Sequence, residues 1–176
     1  MSIILIGYRG SGKTTLGGRL AARLGWGFAD LDQRITAAAG LSIGEIFSRY
    51  GEGEFRAIES RQLEQIVKLK DHVISLGGGA VLAESNQTVI RGSGHTVVYL
   101  HADAAELHRR IIADPATADS RPGLTALGGS AEEVANLLGA RLPIYRQLKH
   151  IELDVNSMPV DTLVETLHAQ LRSSAQ

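Results

Sequence analysis

Residues 7–15 read Gly-Tyr-Arg-Gly-Ser-Gly-Lys-Thr-Thr and directly follow the apolar run Ile3-Ile4-Leu5-Ile6. The stretch spells G-x-x-x-x-G-K-[ST], between a run that predicts a buried strand and a segment that predicts a helix. Gly7, Gly10 and Gly12 let the backbone bend tightly and approach a phosphate with no Cβ in the way. The loop's N–H groups and the helix N-terminus then face an anion. Lys13 adds a mobile positive charge for the outer phosphates, and Thr14 a hydroxyl for a phosphate-bound Mg²⁺. The expected ligand is a nucleoside triphosphate.

Outward from this loop the chain alternates strand and helix. Lys13–Leu24 carries apolar residues at Leu16, Leu20 and Leu24 and stops at Gly25, which predicts a helix. Gly27–Asp30 reads as a short strand and Gln33–Ala39 as a short helix ended by Gly40. Ser42 and Glu45 form a capping box that opens a further helix, followed by a charged helix over Glu52–Leu69. His72–Leu76 and Thr96–Leu100 read as strands, with a helix from Ala83 to Ile90 between them. Ala104–Ala113 is expected to be helical. A second capping box, Ser130 with Glu133, starts a helix reaching Lys149, with a kink or break near Pro143. Ile151–Val155 reads as a strand and Val160–Leu171 as an amphipathic last helix, with a frayed tail from Ser173. Such alternation predicts a parallel sheet covered on both faces, with ligands at the carboxyl ends of its strands.

Composition narrows the function. The 176 residues suit a single domain, 1–176, with a real core. There are 18 basic and 19 acidic side chains, for a formal charge of -1. No basic surplus points to nucleic acid or to anionic lipid. No run approaches the ~18 apolar residues of a membrane span. Ile3–Ile6 is too short for a signal peptide's apolar region, so no leader is expected. With 0 cysteines, disulfide and thiol chemistry are excluded. These features fit a cytoplasmic protein, and no apolar surface stripe argues against a monomer. The one long irregular stretch, Asp114–Gly129, reads as a mobile lid at about 114–129.

Further groups fall where predicted strands end. Asp30 and Asp32 form D-x-D; on an extended segment they point to one side, one for a metal-bound water and the other for a substrate hydroxyl. Asp32 equally suits the N-cap of the next helix. Gly77-Gly78-Gly79 would expose backbone N–H groups at the sheet edge, or serve as a flexible turn. Arg56, in G-E-G-E-F-R-A-I-E, and Arg141, in R-L-P-I-Y, can clamp a small anionic substrate, or sit in helix salt bridges. Arg121 in the lid can reach transferring phosphate or remain a solvated charge. Arg9 fits a phosphate contact or a helix contact. His72, His95 and His101 read as strand-end residues without metal spacing, and Trp26 as packing.

Taken together, GYRGSGKTT, D-L-D, S-I-G-E-I-F, G-E-G-E-F-R-A-I-E, S-L-G-G-G, S-R-P-G-L and R-L-P-I-Y-R, in that order, resemble the shikimate kinase family over almost the whole chain. The resemblance implies a three-layer α/β/α P-loop kinase of the nucleoside-monophosphate-kinase type. Its five-stranded parallel sheet would run in the order 2-3-1-4-5. It implies transfer of the ATP γ-phosphoryl group to the 3-hydroxyl of shikimate, in aromatic amino-acid biosynthesis. Gly10, Ser11, Gly12, Lys13, Thr14 and Thr15 would hold the ATP phosphates. Thr14 would bind Mg²⁺, and Asp30 would reach it through water. Asp32 would contact shikimate and orient or deprotonate the attacking hydroxyl. Arg56 and Arg141 would grip the carboxylate, with Gly78 and Gly79 against the substrate. Lys13, Asp32 and Arg121 would be the catalytic groups, with Arg121 on the phosphates. Arg109 or Arg110, preferably Arg110, would lie near adenine, opposite the Asn156–Pro159 loop. Two positions depart from the commonest pattern: Gly123 replaces a bulkier apolar lid residue, and Asn156-Ser157 stands where a basic residue is frequent.

Overall fold

The structure is a computed structural model and describes residues 1–114 and 130–173. Ile3, Ile4, Leu5 and Ile6 are all but inaccessible to solvent and form β1 (Ile3–Ile6). Burial of each is worth roughly 1.5–3 kcal/mol, which is why so short a run anchors the sheet. Beside it lie β2 (Gly27–Asp30), β3 (His72–Ser75), β4 (Thr96–His101) and β5 (Ile151–Asp154). The order is β2-β3-β1-β4-β5 and every pairing is parallel, as the resemblance implied.

Leu5 pairs with Ser75 and Val98, and Asp30 with Ser75. The carboxyl ends of β1, β2 and β3 therefore finish level, and the loops after them leave from one edge. Between β3 and β4 the chain crosses from one side of β1 to the other. A crevice opens at such a switch point, because the connections on either side depart in opposite directions.

The helices are α1 (Lys13–Leu24), α2 (Leu31–Ala39), α3 (Ile43–Ile66), α4 (Glu84–Gly92), α5 (Ala104–Ala113), α6 (Ala131–Leu148) and α7 (Val160–Ser173). They surround the sheet: α1 packs on β1, β2, β3 and α7, while α6 packs on α4, α5 and β4. Arg19 pairs with Asp161 and Arg23 with Glu165, tying α1 to α7 on the surface. The Ser42–Glu45 capping box is complete. At the second, the Ser130 hydroxyl accepts from the Glu133 N–H at 3.2 Å.

Several expectations need correction. The helix after β2 starts at Leu31, not Gln33, and its N-cap is Asp30 rather than Asp32. Asp32 consequently sits in the first helical turn, not on an extended segment. The two helices expected around Gly51 are both present within α3, separated by a kink at that glycine, whose φ of 80° and ψ of 176° are not helical and suit a residue without Cβ. This span ends at Ile66, short of the expected Leu69. α6 runs through Pro143 without a break; proline simply withholds one N–H from the ladder there. His72 opens β3 and His101 closes β4, while His95 is buried just ahead of β4. Trp26 is half-buried against the core, as read. The expected lid lies outside the described residues from 115 to 129, and with it Arg121 and Gly123.

Candidate active site

A cleft of about 710 Å³ opens at the level carboxyl ends of β1, β2 and β3. The loop from Gly10 to Thr15 supplies one wall, Asp30 and Asp32 the next, and Gly77 and Gly78 the floor beyond. Arg9, Arg110 and Asp114 also line it.

Gly12 is the N-cap of α1, with φ of 84°. A glycine there allows the left-handed turn and brings no side chain to consume the helix's first N–H groups. The first turn also holds no acidic residue. This end of α1 thus keeps the positive character that draws a phosphate. Lys13 is buried, and its ammonium donates to the carbonyls of Gly7 and Tyr8, each at 2.9 Å, and to the Ser11 hydroxyl at 3.3 Å. The lysine holds the loop's curve while its charge stays inside it.

Asp30 joins two parts of the cleft. Its Oδ2 accepts from the Thr14 hydroxyl at 3.0 Å. Its Oδ1 accepts from the Asp32 N–H at 2.9 Å and from the Gln33 N–H at 3.3 Å. Thr14 and Asp30 thus present a hydroxyl and a carboxylate side by side. Hard oxygen donors of this kind fit Mg²⁺, which takes one or two protein oxygens and completes its shell with water and phosphate. Such a site needs no cluster of carboxylates, and among the described residues no group of three His, Cys, Asp or Glu forms one.

The side of the cleft beyond Asp32 is built on the glycine triplet. A Cβ on Gly78 would lie 3.2 Å from both the Arg9 nitrogen and the Gly7 carbonyl oxygen, so this turn packs directly on the phosphate loop. Arg141, from α6, is buried; its guanidinium lies 5.2 Å from the centre of the Tyr8 ring. Its Nη1 stands 3.5 Å from the Gly78 carbonyl, to which the Tyr145 hydroxyl donates at 2.7 Å. Arg56 approaches the same turn from α3: a Cβ on Gly79 would meet both of its terminal nitrogens at 2.9 Å. Arg56 also pairs with buried Glu59 at 2.7 Å and with Glu52 at 3.2 Å. Burial works against the Arg56 charge, but the Glu59 and Glu52 carboxylates outweigh it and raise its pKa. It remains a cation at any working pH.

The structure therefore brings Arg56 and Arg141 to one turn, and the salt-bridge alternative for Arg56 is also real. Arg110 lines the cleft and donates to Glu106 at 2.6 Å and to the carbonyls of Val155 and Asn156 at 2.5 and 3.2 Å. It sits beside the expected adenine loop, whereas Arg109 is exposed. Hydrogen bonds from Arg109 and then Arg110 pull the Glu106 carboxyl down to about 2. Tyr8, Glu59 and Tyr145 had no role assigned from sequence. The signal was present for two of them, since Glu59 and Tyr145 end the quoted arginine motifs.

A shikimate kinase family model matches residues 9–172. The chain is 41% identical over 173 residues to shikimate kinase 2 of Sodalis glossinidius (strain morsitans), covering 98% of this chain and 97% of that relative. It is 44% identical over 169 residues to the shikimate kinase of Neisseria meningitidis serogroup C (strain 053442), covering 96% and 95%. The solved shikimate kinase from Acinetobacter baumannii in complex with shikimate superposes with a TM-score of 0.90 at 31% identity, covering 98% of this chain and 93% of that one. A phosphate loop, a hydroxyl–carboxylate pair and two arginines on a glycine turn agree with these matches, and the chain belongs to the shikimate kinase family.

Proposed function

We propose that this cleft is where the chain transfers the γ-phosphoryl group of ATP to shikimate, with the labour divided among the residues that line and flank it. The products are shikimate 3-phosphate and ADP, in the route to aromatic amino acids. Gly10, Ser11, Gly12, Lys13, Thr14 and Thr15 hold the ATP phosphates, and Arg110 lies against the nucleotide. Thr14 would hold Mg²⁺ and Asp30 would reach it through water; the ion would supply neutralising charge to the phosphates when bound.

Asp32 accepts a hydrogen bond from the attacking hydroxyl and takes its proton as the new P–O bond forms and the bond from the γ-phosphorus to the ADP oxygen breaks. Arg56 and Arg141 bind the acceptor's carboxylate, with Gly78 and Gly79 against its ring. Arg121 neutralises charge on the transferring group. Phosphoryl transfer gains mainly from alignment and charge neutralisation, and this residue set offers both. We assign the protein to the cytoplasm, where ATP and Mg²⁺ are supplied. None of the described helices is long and apolar enough to cross a membrane. We assign it as a monomer, because one chain's residues assemble the cleft.

The observation that carries this reading is the Thr14–Asp30 contact at 3.0 Å, with Asp32 hydrogen-bonded through its N–H to the same carboxylate. The test is ADP release from ATP and Mg²⁺ with shikimate, gluconate or nucleoside monophosphates as acceptor. Release should depend on shikimate alone. Asp32→Asn should lower kcat by about 10²- to 10⁴-fold with the ATP KM nearly unchanged. Equal release with gluconate, or full activity in Asp32→Asn, refutes the assignment.

A further inference from the structure

We infer that Tyr145 is a positioning residue for the acceptor side of the reaction, its hydroxyl fixing the triple-glycine turn relative to Arg141. The inference rests on the reading above, that Gly78, Gly79 and Arg141 contact shikimate.

Tyr145 is fully buried, and its O–H donates to the Gly78 carbonyl at 2.7 Å across a separation of 67 residues. Arg141 lies one helical turn earlier on α6, so the two side chains share a face. Both aim at that one carbonyl, Tyr145 at 2.7 Å and Arg141 at 3.5 Å. The short bond belongs to tyrosine. The longer approach ties the guanidinium only loosely to the turn. Without the hydroxyl, the carbonyl's lone pair would recruit Arg141 itself, since a buried carbonyl left short of a donor is costly. The arginine would then serve the turn instead of the substrate. Burial raises the Tyr145 pKa well above the ordinary phenol value, despite the opposing Arg141 charge and hydrogen bond. The hydroxyl therefore stays a neutral donor throughout the working pH range.

A control is built into the same stack. The Tyr99 and Tyr145 rings stack with centroids 5.0 Å apart at 16°. The Tyr99 hydroxyl is equally buried but has no hydrogen-bond partner among the described residues. Tyr99→Phe and Tyr145→Phe remove the same atom from neighbouring rings, and only the second touches Gly78.

The experiment measures KM for shikimate, KM for ATP, kcat and thermal midpoint in Tyr145→Phe, Tyr99→Phe and Arg141→Ala. Tyr145→Phe should raise the shikimate KM roughly fivefold, the worth of one hydrogen bond, with the ATP KM within about twofold. Tyr99→Phe should leave the shikimate KM at the unsubstituted value. The inference is overturned if Tyr145→Phe leaves the shikimate KM unmoved, if it raises both KM values together, or if Tyr99→Phe gives the same rise. A shikimate KM insensitive to Arg141→Ala would instead refute the carboxylate clamp.

Discussion

Replacing Gly79 with alanine presses on Arg56 and on the proposed acceptor contact at the same turn. The new methyl would stand 2.9 Å from both terminal nitrogens of Arg56 and 3.3 Å from Cζ. Non-bonded heavy atoms rest near ~3.5 Å, so the guanidinium must retreat by roughly 0.6 Å. Retreat is constrained, because Nη1 is held at 2.7 Å by Glu59, which is only 1% exposed. Glu52 holds Nε and Nη2 at 3.3 and 3.2 Å. A misplacement of ~1 Å can cost about 10²-fold, so a shift of just over half that size should cost about tenfold. We expect this loss in the shikimate KM, measured by ADP release, with the ATP KM changed by less than about twofold. Gly78→Ala provides the contrast. Its methyl would press at 3.2 Å on the Arg9 nitrogen and Gly7 oxygen, which are backbone atoms of the phosphate loop and cannot swing aside. Both KM values should rise in that variant. An unchanged shikimate KM in Gly79→Ala would refute the role given to Arg56. A parallel rise in the ATP KM would show that the turn deforms rather than the arginine.

Asp30 should separate stability from activity. Asp30→Ala removes the α2 cap and should cost about 1 kcal/mol, a fall of roughly 2–4 °C in midpoint, whereas Asp30→Asn keeps an oxygen acceptor and most of that stability; ADP release should fall steeply in both, and an active Asp30→Asn would remove the carboxylate from the metal site. His95 should make the fold acid-sensitive: burial lowers its pKa first, the Lys70 and N-terminal charges push the same way, and the bond to the Val67 carbonyl opposes them. The unfolded chain therefore binds this proton first, at its ordinary value near ~6.5, and stability falls as pH drops from there toward the lower folded pKa. Thermal midpoints between pH 7.5 and 5 should show this slope, and His95→Asn should flatten it; an unaltered slope assigns the sensitivity elsewhere.

What was legible in the sequence was mostly local. The phosphate loop is specified by the conformations of adjacent residues, so its spelling alone gives its shape. The capping signals at Ser42 and Ser130 are equally local: the first box is complete, and at the second the Ser130 hydroxyl accepts from the Glu133 N–H. D-L-D was harder: Asp32 suits an N-cap by type, but the cap falls on Asp30. The same carboxylate also accepts from the hydroxyl of Thr14, 16 residues away, a contact that local spelling does not show. Glu106 has arginines at both i+3 and i+4, and sequence spacing alone does not choose between them. Glu106 pairs with both, and what sets Arg110 apart is that its far nitrogen also meets the Val155 carbonyl 45 residues on. Tyr145 was hidden for the same reason: its partner is brought beside it only when α6 packs over the sheet edge.

These long-range bonds also explain how two substrate sites are kept in register across one cleft. Asp30 divides its two oxygens between Thr14, at the phosphate loop, and the first turn of α2, which carries Asp32. Shifting α2 without disturbing the loop would break one of these bonds. On the opposite wall, Gly78 packs against the Gly7 carbonyl and the Arg9 N–H, while Tyr145 holds its own carbonyl. On the proposed assignment, the acceptor would thereby be referenced to the phosphate loop from two directions, once through a carboxylate and once through a backbone turn. In-line transfer depends on the distance between attacking oxygen and phosphorus, which neither wall sets alone. Loosening both should therefore lose more than the sum of the separate losses: Tyr145→Phe combined with Asp30→Ala should be non-additive in kcat/KM, because each variant alone leaves the other wall as a reference.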